Sequence, residues 1–160
     1  MIDHALQFAD RGWQIIPVLN GTKRPLLRGW PTTASSQPDQ IHEWWDRWPE
    51  ASVGVLAGSR SGLAILDVEA EYIEGFTSSH DVPETLRVIS GGGGVHYYFS
   101  HEESFRKRSL PGIGDLQGDG SYVVAPPSLH DSGNLYEFAP GHGFDTPVAP
   151  MPDWLFNLQN

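Results

Sequence analysis

"SVGVLAGSRSGLAILDVE", Ser52–Glu69, sets two short apolar runs on either side of a glycine- and serine-rich turn. Ser52–Leu56 and Leu63–Glu69 are dense in valine, leucine and isoleucine and too short for globular helices, so both read as strands. Ala57–Gly62, AGSRSG, suits a hairpin, which predicts that the two strands are antiparallel neighbours. The second run also delivers two acids, Asp67 and Glu69, at its end.

The same reading extends in both directions. Leu86–Ile89 and Val95–Phe99 flank four successive glycines and form another strand pair. Tyr122–Ala125, ended by Pro126 and Pro127, is one more strand, and Tyr136–Phe138 another. The segment around Thr77–Asp81 is polar, and PDWLFNLQ suits a short closing helix. Toward the N-terminus, Ile2, Ala5, Leu6 and Ala9 share one helical face ahead of a stop at Gly12. Trp13–Val18 reads as a buried strand, followed by a turn-rich connection with a basic tip, GTKRPLLRGWPTT. Ile41, Trp44, Trp45 and Trp48 recur at helical spacing between Pro38 and Pro49, and that stripe is packing rather than a stacking platform for bases. Many short strands, with helices mainly on the N-terminal side, predict an α+β fold on a largely antiparallel sheet.

A length of 160 residues suits a single domain, 1–160, with 39% hydrophobic and 19% charged residues as in soluble globular proteins. No apolar run approaches the roughly 20 residues that span a bilayer. MIDHALQFADRGW lacks the basic segment and apolar run of a secretory signal, so a cytoplasmic location is expected. Without cysteine, any metal must sit on oxygens and imidazoles. The net charge of −10 argues against strong nucleic-acid binding by this chain alone. Two basic groups, Lys23, Arg24 and Arg28, and Arg106, Lys107 and Arg108, are candidate contacts or ordinary solvated loops.

Asp67 and Glu69 stand two apart, so on a strand both project to one side while Val68 points into packing. Carboxylates so close repel unless a cation lies between them, and hard oxygen ligands suit Mg2+ or Mn2+. The other reading is that the strand ends near Asp67 and both acids are solvated. A third acid, Asp115, lies in GIGDLQGDG just before the strand SYVVA, and two or three carboxylates are the usual complement of divalent-metal sites acting on a triphosphate. Asp119 is its rival, although GDGS places it as a turn residue. In SGGGGVHYYF the glycines are either a mobile hairpin tip or a backbone that approaches an anion, turning the amides of Gly92, Gly93 and Gly94 toward it. Alternation separates Val95, Tyr97 and Phe99 from His96 and Tyr98, so His96 either completes that cradle or is hydrogen-bonded within the sheet.

In order, ALQFADRGWQIIPV, KRPLLRGW, SVGVLAGSRSGLAILDVE, SGGGGVHYYF, GIGDLQGDGSYVVAPPSLH and PDWL resemble one known family. It is the bifunctional primase/polymerase (prim-pol) domain of the archaeo-eukaryotic primase superfamily, found in plasmid and phage replication proteins. The resemblance runs from about Ala5 to Trp154. It implies a catalytic antiparallel sheet related to the RNA-recognition fold, packed with an N-terminal α/β module. It also implies that Asp67, Glu69 and Asp115 are catalytic metal ligands and that His96 contacts nucleotide phosphate. Similar proteins place the third acid directly after Gly-Ile, whereas here Gly114 intervenes. Lys23, with Pro25, Gly29 and Trp30, fits the family's Lys-x-Pro…Gly-Trp pattern and either binds phosphate or is a solvated lysine. Ser128 and His130 fall in its Pro-Pro-Ser-x-His element, whose first reading is a structural turn.

The function so implied is that of a DNA primase and DNA polymerase, a template-directed nucleotidyltransferase in replication of the plasmid or phage type. Its cofactors are two Mg2+ or Mn2+ ions, its substrates dNTP or NTP, and its template single-stranded or primed DNA, with Gly92–Gly94 and His96 orienting the triphosphate. The alternative is a nucleotide- or nucleic-acid-binding module that needs a partner for activity. The charge of −10 favours it, as do the helical accessory domain and helicase that often accompany this domain in similar proteins, in cis or in trans. A metal-dependent phosphodiesterase using the same acids rests on chemistry alone.

Overall fold

The computed structural model describes residues 1–158. Its order is α1 (Ile2–Asp10), β1 (Ile15–Val18), α2 (Trp30–Thr33), α3 (Pro38–Arg47), β2 (Ser52–Leu56) and β3 (Leu63–Val68). A short 3-10 turn (Ala70–Tyr72) leads into α4 (Ile73–Ser79), followed by β4 (Arg87–Ile89), β5 (Val95–Ser100), β6 (Arg108–Leu110) and β7 (Gly114–Gln117). β8 (Tyr122–Ala125), β9 (Glu137–Phe138), β10 (Ala149–Pro150) and α5 (Asp153–Phe156) complete it. Among the described residues no helix is long and apolar enough to cross a membrane.

The fold is α+β and mostly antiparallel, but it has two sheets, and this corrects the expected hairpin. β2 is the centre of a three-stranded sheet, β1-β2-β8, while β3 lies in a seven-stranded sheet, β6-β7-β3-β5-β4-β9, whose remaining strand β10 pairs with β5. AGSRSG does turn the chain, and Gly58 and Leu63 bond each other's backbone at 2.7 and 3.1 Å. Beyond that bridge the strands diverge. β2 is buried at every position and bonds β1 along one edge and β8 along the other. A side chain at Gly54 would come within 2.8 Å of Ile16 and 3.0 Å of Val18, so the central strand is glycine where β1 packs closest. Pro17 is tolerated because β1 is an edge strand.

The seven-stranded sheet separates two apolar clusters. Ile65, Val88 and Tyr98 face the small sheet together with α1 and the tryptophans of α3, where Trp44 and Trp45 are buried as core. Leu66, Val68, Tyr97, Phe99 and Leu116 face the opposite way, onto Phe76 of α4 and Leu155 of α5. The alternation read from the sequence therefore holds on β3 and β5.

Two expectations change. The polar segment around Thr77–Asp81 is entered by a helix that the sequence did not announce, α4, which ends at Ser79 and whose buried residue is Phe76. Asp115 does not merely precede the strand SYVVA: it belongs to a strand of its own, β7, in the large sheet, whereas SYVVA forms β8 in the small one.

Candidate active site

Alternation on β3 turns Asp67 away from the α4 side, and the strand register fixes its neighbours. Asp67 pairs with His96 on β5 and with Asp115 on β7. Directly paired residues project to the same face, so the three side chains stand in a row across adjacent strands. His96 Nε2 lies 3.5 Å from Asp67 Oδ1, and Lys107 Nζ lies 3.8 Å from Asp115 Oδ2. Gly114, the residue inserted ahead of Asp115, has φ +150°, and a Cβ there would overlap the carbonyl oxygen of Asp67. The lack of a side chain at Gly114 lets β7 close on β3 with Asp115 level with Asp67.

The row opens into a cleft of about 410 Å³ between the sheets. Lys23, Trp30 and Tyr122 form one wall, where the Tyr122 hydroxyl donates to the Lys23 carbonyl and the Trp30 ring meets Tyr122 edge-on at 5.0 Å. Lys107, Gln117, His130 and Tyr136 also line it. Burial pushes His96 below the usual imidazole range against the opposing pull of Asp67, with Lys23 and His130 adding to the depression, so His96 is neutral at pH 7. Its Nδ1 is buried without a partner among the described residues. An unpartnered acceptor costs less than an unpartnered donor, which places the proton on Nε2, beside Asp67. Burial also pushes Tyr122 and Tyr136 up to about 12, so both phenols stay neutral.

The other sequence candidates are dispersed. Glu69 follows the last residue of β3, is exposed, and donates its backbone amide to Ile113 at 2.9 Å. The glycine run forms the β4–β5 turn, in which the Gly93 amide bonds the Ser90 carbonyl and the Gly94 amide the Ser90 hydroxyl, at 2.9 and 3.1 Å. Those two amides are committed within the turn. Ser128 is fully buried, and its hydroxyl accepts the Val53 amide at 2.9 Å, a structural bond. Asp119 is a turn residue: it accepts Ser59 N–H at 2.7 Å, Ser59 Oγ at 3.1 Å, and the Ser104 hydroxyl. Gln117, Tyr122 and Tyr136 escaped the sequence reading, and Lys107 was visible there only as one member of a basic group. Gln117 was within reach, since it stands two after Asp115 on an alternating strand.

The donor set fits a divalent cation of the magnesium type. Two carboxylates in register repel without a positive charge between them, and Mg2+ is commonly held by one or two carboxylates, substrate phosphates completing its shell. Among the described residues no group of three His, Asp or Glu side chains is assembled as a metal cage.

Paired carboxylates, flanking lysines and imidazoles in one cleft are a donor set of the kind that suits a phosphate-bearing substrate and a divalent cation, here on an α+β domain. The chain matches the model of the bifunctional DNA primase/polymerase N-terminal domain over residues 5–154, and it belongs to that family. No curated protein matches it. Membership carries the general role of the family, that of a DNA primase/polymerase nucleotidyltransferase.

Proposed function

We propose that this cleft carries out template-directed nucleotidyl transfer, adding dNTP or NTP to a primer end or an initiating nucleotide during DNA replication of the plasmid or phage type. The observation that carries the reading is the row His96–Asp67–Asp115 on three adjacent strands at the floor of the cleft. Asp67 and Asp115 would hold Mg2+ or Mn2+, whereas Glu69, exposed just past the end of β3, is not among the residues that line the cleft. Such a cation lowers the pKa of an attacking hydroxyl and offsets charge on the triphosphate. Neutral His96 stands beside Asp67, with Nε2 3.5 Å from Oδ1, where it is available to nucleotide phosphate. Lys23 and Lys107 supply positive charge on either side of the acids for the phosphates.

A net charge of −10 favours a second reading, in which the chain binds metal and triphosphate but needs a helicase or helical accessory domain to hold template. Labelled-nucleotide incorporation with Mg2+ or Mn2+ separates the two, on primed and on unprimed single strands with Asp67→Ala as control. Extension that disappears in the control supports the polymerase, and product on the unprimed strand adds priming. No product, with triphosphate still bound in a metal-dependent way, selects the second reading.

A further inference from the structure

His130 lines the cleft, yet the chemistry above gives it no task. It sits on the passage from β8 to β9, and its side chain is 14% exposed. Its Nδ1 accepts the Ser132 amide at 3.0 Å, with Ser132 Oγ at 2.9 Å and Asp131 Oδ1 at 3.0 Å. The Ser132 amide favours the neutral tautomer with its proton on Nε2, while the Asp131 carboxylate favours the imidazolium, which bears a proton there as well, so Nε2–H is the donor that an anion would meet.

The surroundings hold that ring in place. The Ser132 hydroxyl and the Asn134 side-chain amide both donate to the Gly91 carbonyl at 3.0 Å, which ties the loop to the glycine run. A Cβ on Gly91 would collide with the Cβ of His130, and one on Gly92 would lie 3.3 Å from its Cε1 and 3.4 Å from its Nε2. Tyr136 meets the ring edge-on, with centroids 5.4 Å apart. The space vacated by the glycines is filled by an imidazole.

We propose that His130 is a phosphate-binding residue of this site, whose Nε2–H donates to a non-bridging oxygen of the bound nucleotide, and that Gly91 and Gly92 serve to seat its ring. The proposal rests on the nucleotidyl-transfer reading of the cleft. It assigns the anion contact to an imidazole carried by the loop after β8, opposite the acids of β3 and β7.

The test compares wild type with His130→Ala, His130→Gln and His130→Asn, each first shown to melt as wild type does, in primed extension with Mn2+. A glutamine amide reaches the place of Nε2, whereas asparagine stands in for Nδ1 alone. A lost hydrogen bond to a charged oxygen should raise KM for dATP about tenfold or more in His130→Ala and His130→Asn, with kcat changed less. His130→Gln should stay within about threefold of wild type, and free deoxyadenosine, which has no phosphate, should inhibit wild type and His130→Ala equally. An unchanged KM in His130→Ala overturns the proposal, as does equal loss in the glutamine and asparagine variants, which would mark a packing role. If alanine fails to fold, the Gln–Asn comparison decides. A wild type that neither binds dATP nor extends a primer overturns the reading of the cleft, and this assignment with it.

Discussion

Asp67 and Asp115 face each other across one strand pair, a like-charge contact that Lys107, half-exposed at 3.8 Å from Asp115, offsets only in part. Asp115→Asn should therefore abolish incorporation while leaving the metal-free protein as stable as wild type or more so, by up to about 1 kcal/mol. Thermal melts with and without Mn2+ check this, and the metal-induced rise in Tm should vanish in the variant. His96 gives a pH dependence of definite sign. Its folded pKa lies below the ordinary 6.5, so the unfolded chain takes up a proton first as pH falls. Stability contributed by the neutral ring is complete above about 6.5 and declines below it until the folded pKa is passed. Urea melts at pH 7.5 and 5.5 should show that decline in wild type and a smaller one in His96→Gln. Asp67 and the outward face of His96 were legible because a strand has a period of two. Asp115 was legible as an acid, though its strand was hidden: GDLQ, set between glycines, lacks β-branched residues.

Among the elements, β7 depends on a single glycine. Gly114→Ala should drive the strand off β3 because the added methyl meets backbone, which cannot swing away as a side chain can. A loss of roughly 2–3 kcal/mol is expected, and incorporation should fall with it. Ser128→Ala should cost about 1–3 kcal/mol, because the buried amide of Val53 loses its acceptor, with KM for nucleotide unchanged in the folded fraction. Denaturant melts paired with kinetics distinguish these outcomes. α1 and α3 were legible from their apolar stripes. α4 was not, because Phe76 is its one buried side chain and a single apolar anchor makes no period. The pairing of β2 with β3 was misread for a related reason: a turn sequence reports a reversal of direction and says nothing of which sheet each strand will join.

For the molecule as a whole, twenty acids against ten lysines and arginines repel a polyanion except near the cleft. DNA binding should accordingly be weak at physiological salt, with a slope of log K against log salt no steeper than about −4, since few cations can reach phosphate. A titration of labelled primer-template across salt concentrations measures it, and a much steeper slope would point to a larger basic surface. The acids belong to the large sheet, while Lys23, Tyr122 and His130 are carried by the small sheet and its loops, so the cleft is a joint product of both. That division could not be read from the sequence, where both sets of strands look alike. The chain passes from small sheet to large at Ala57–Gly62 and back again at Gly118–Ser121, and Asp119 fastens the two passages together through Ser59. An alanine scan scored only by product would thus group Asp119 with Asp67 and Asp115 as a third catalytic acid. Dose–response curves in manganese would expose the error, since a loosened rivet yields to saturating metal and a missing ligand does not.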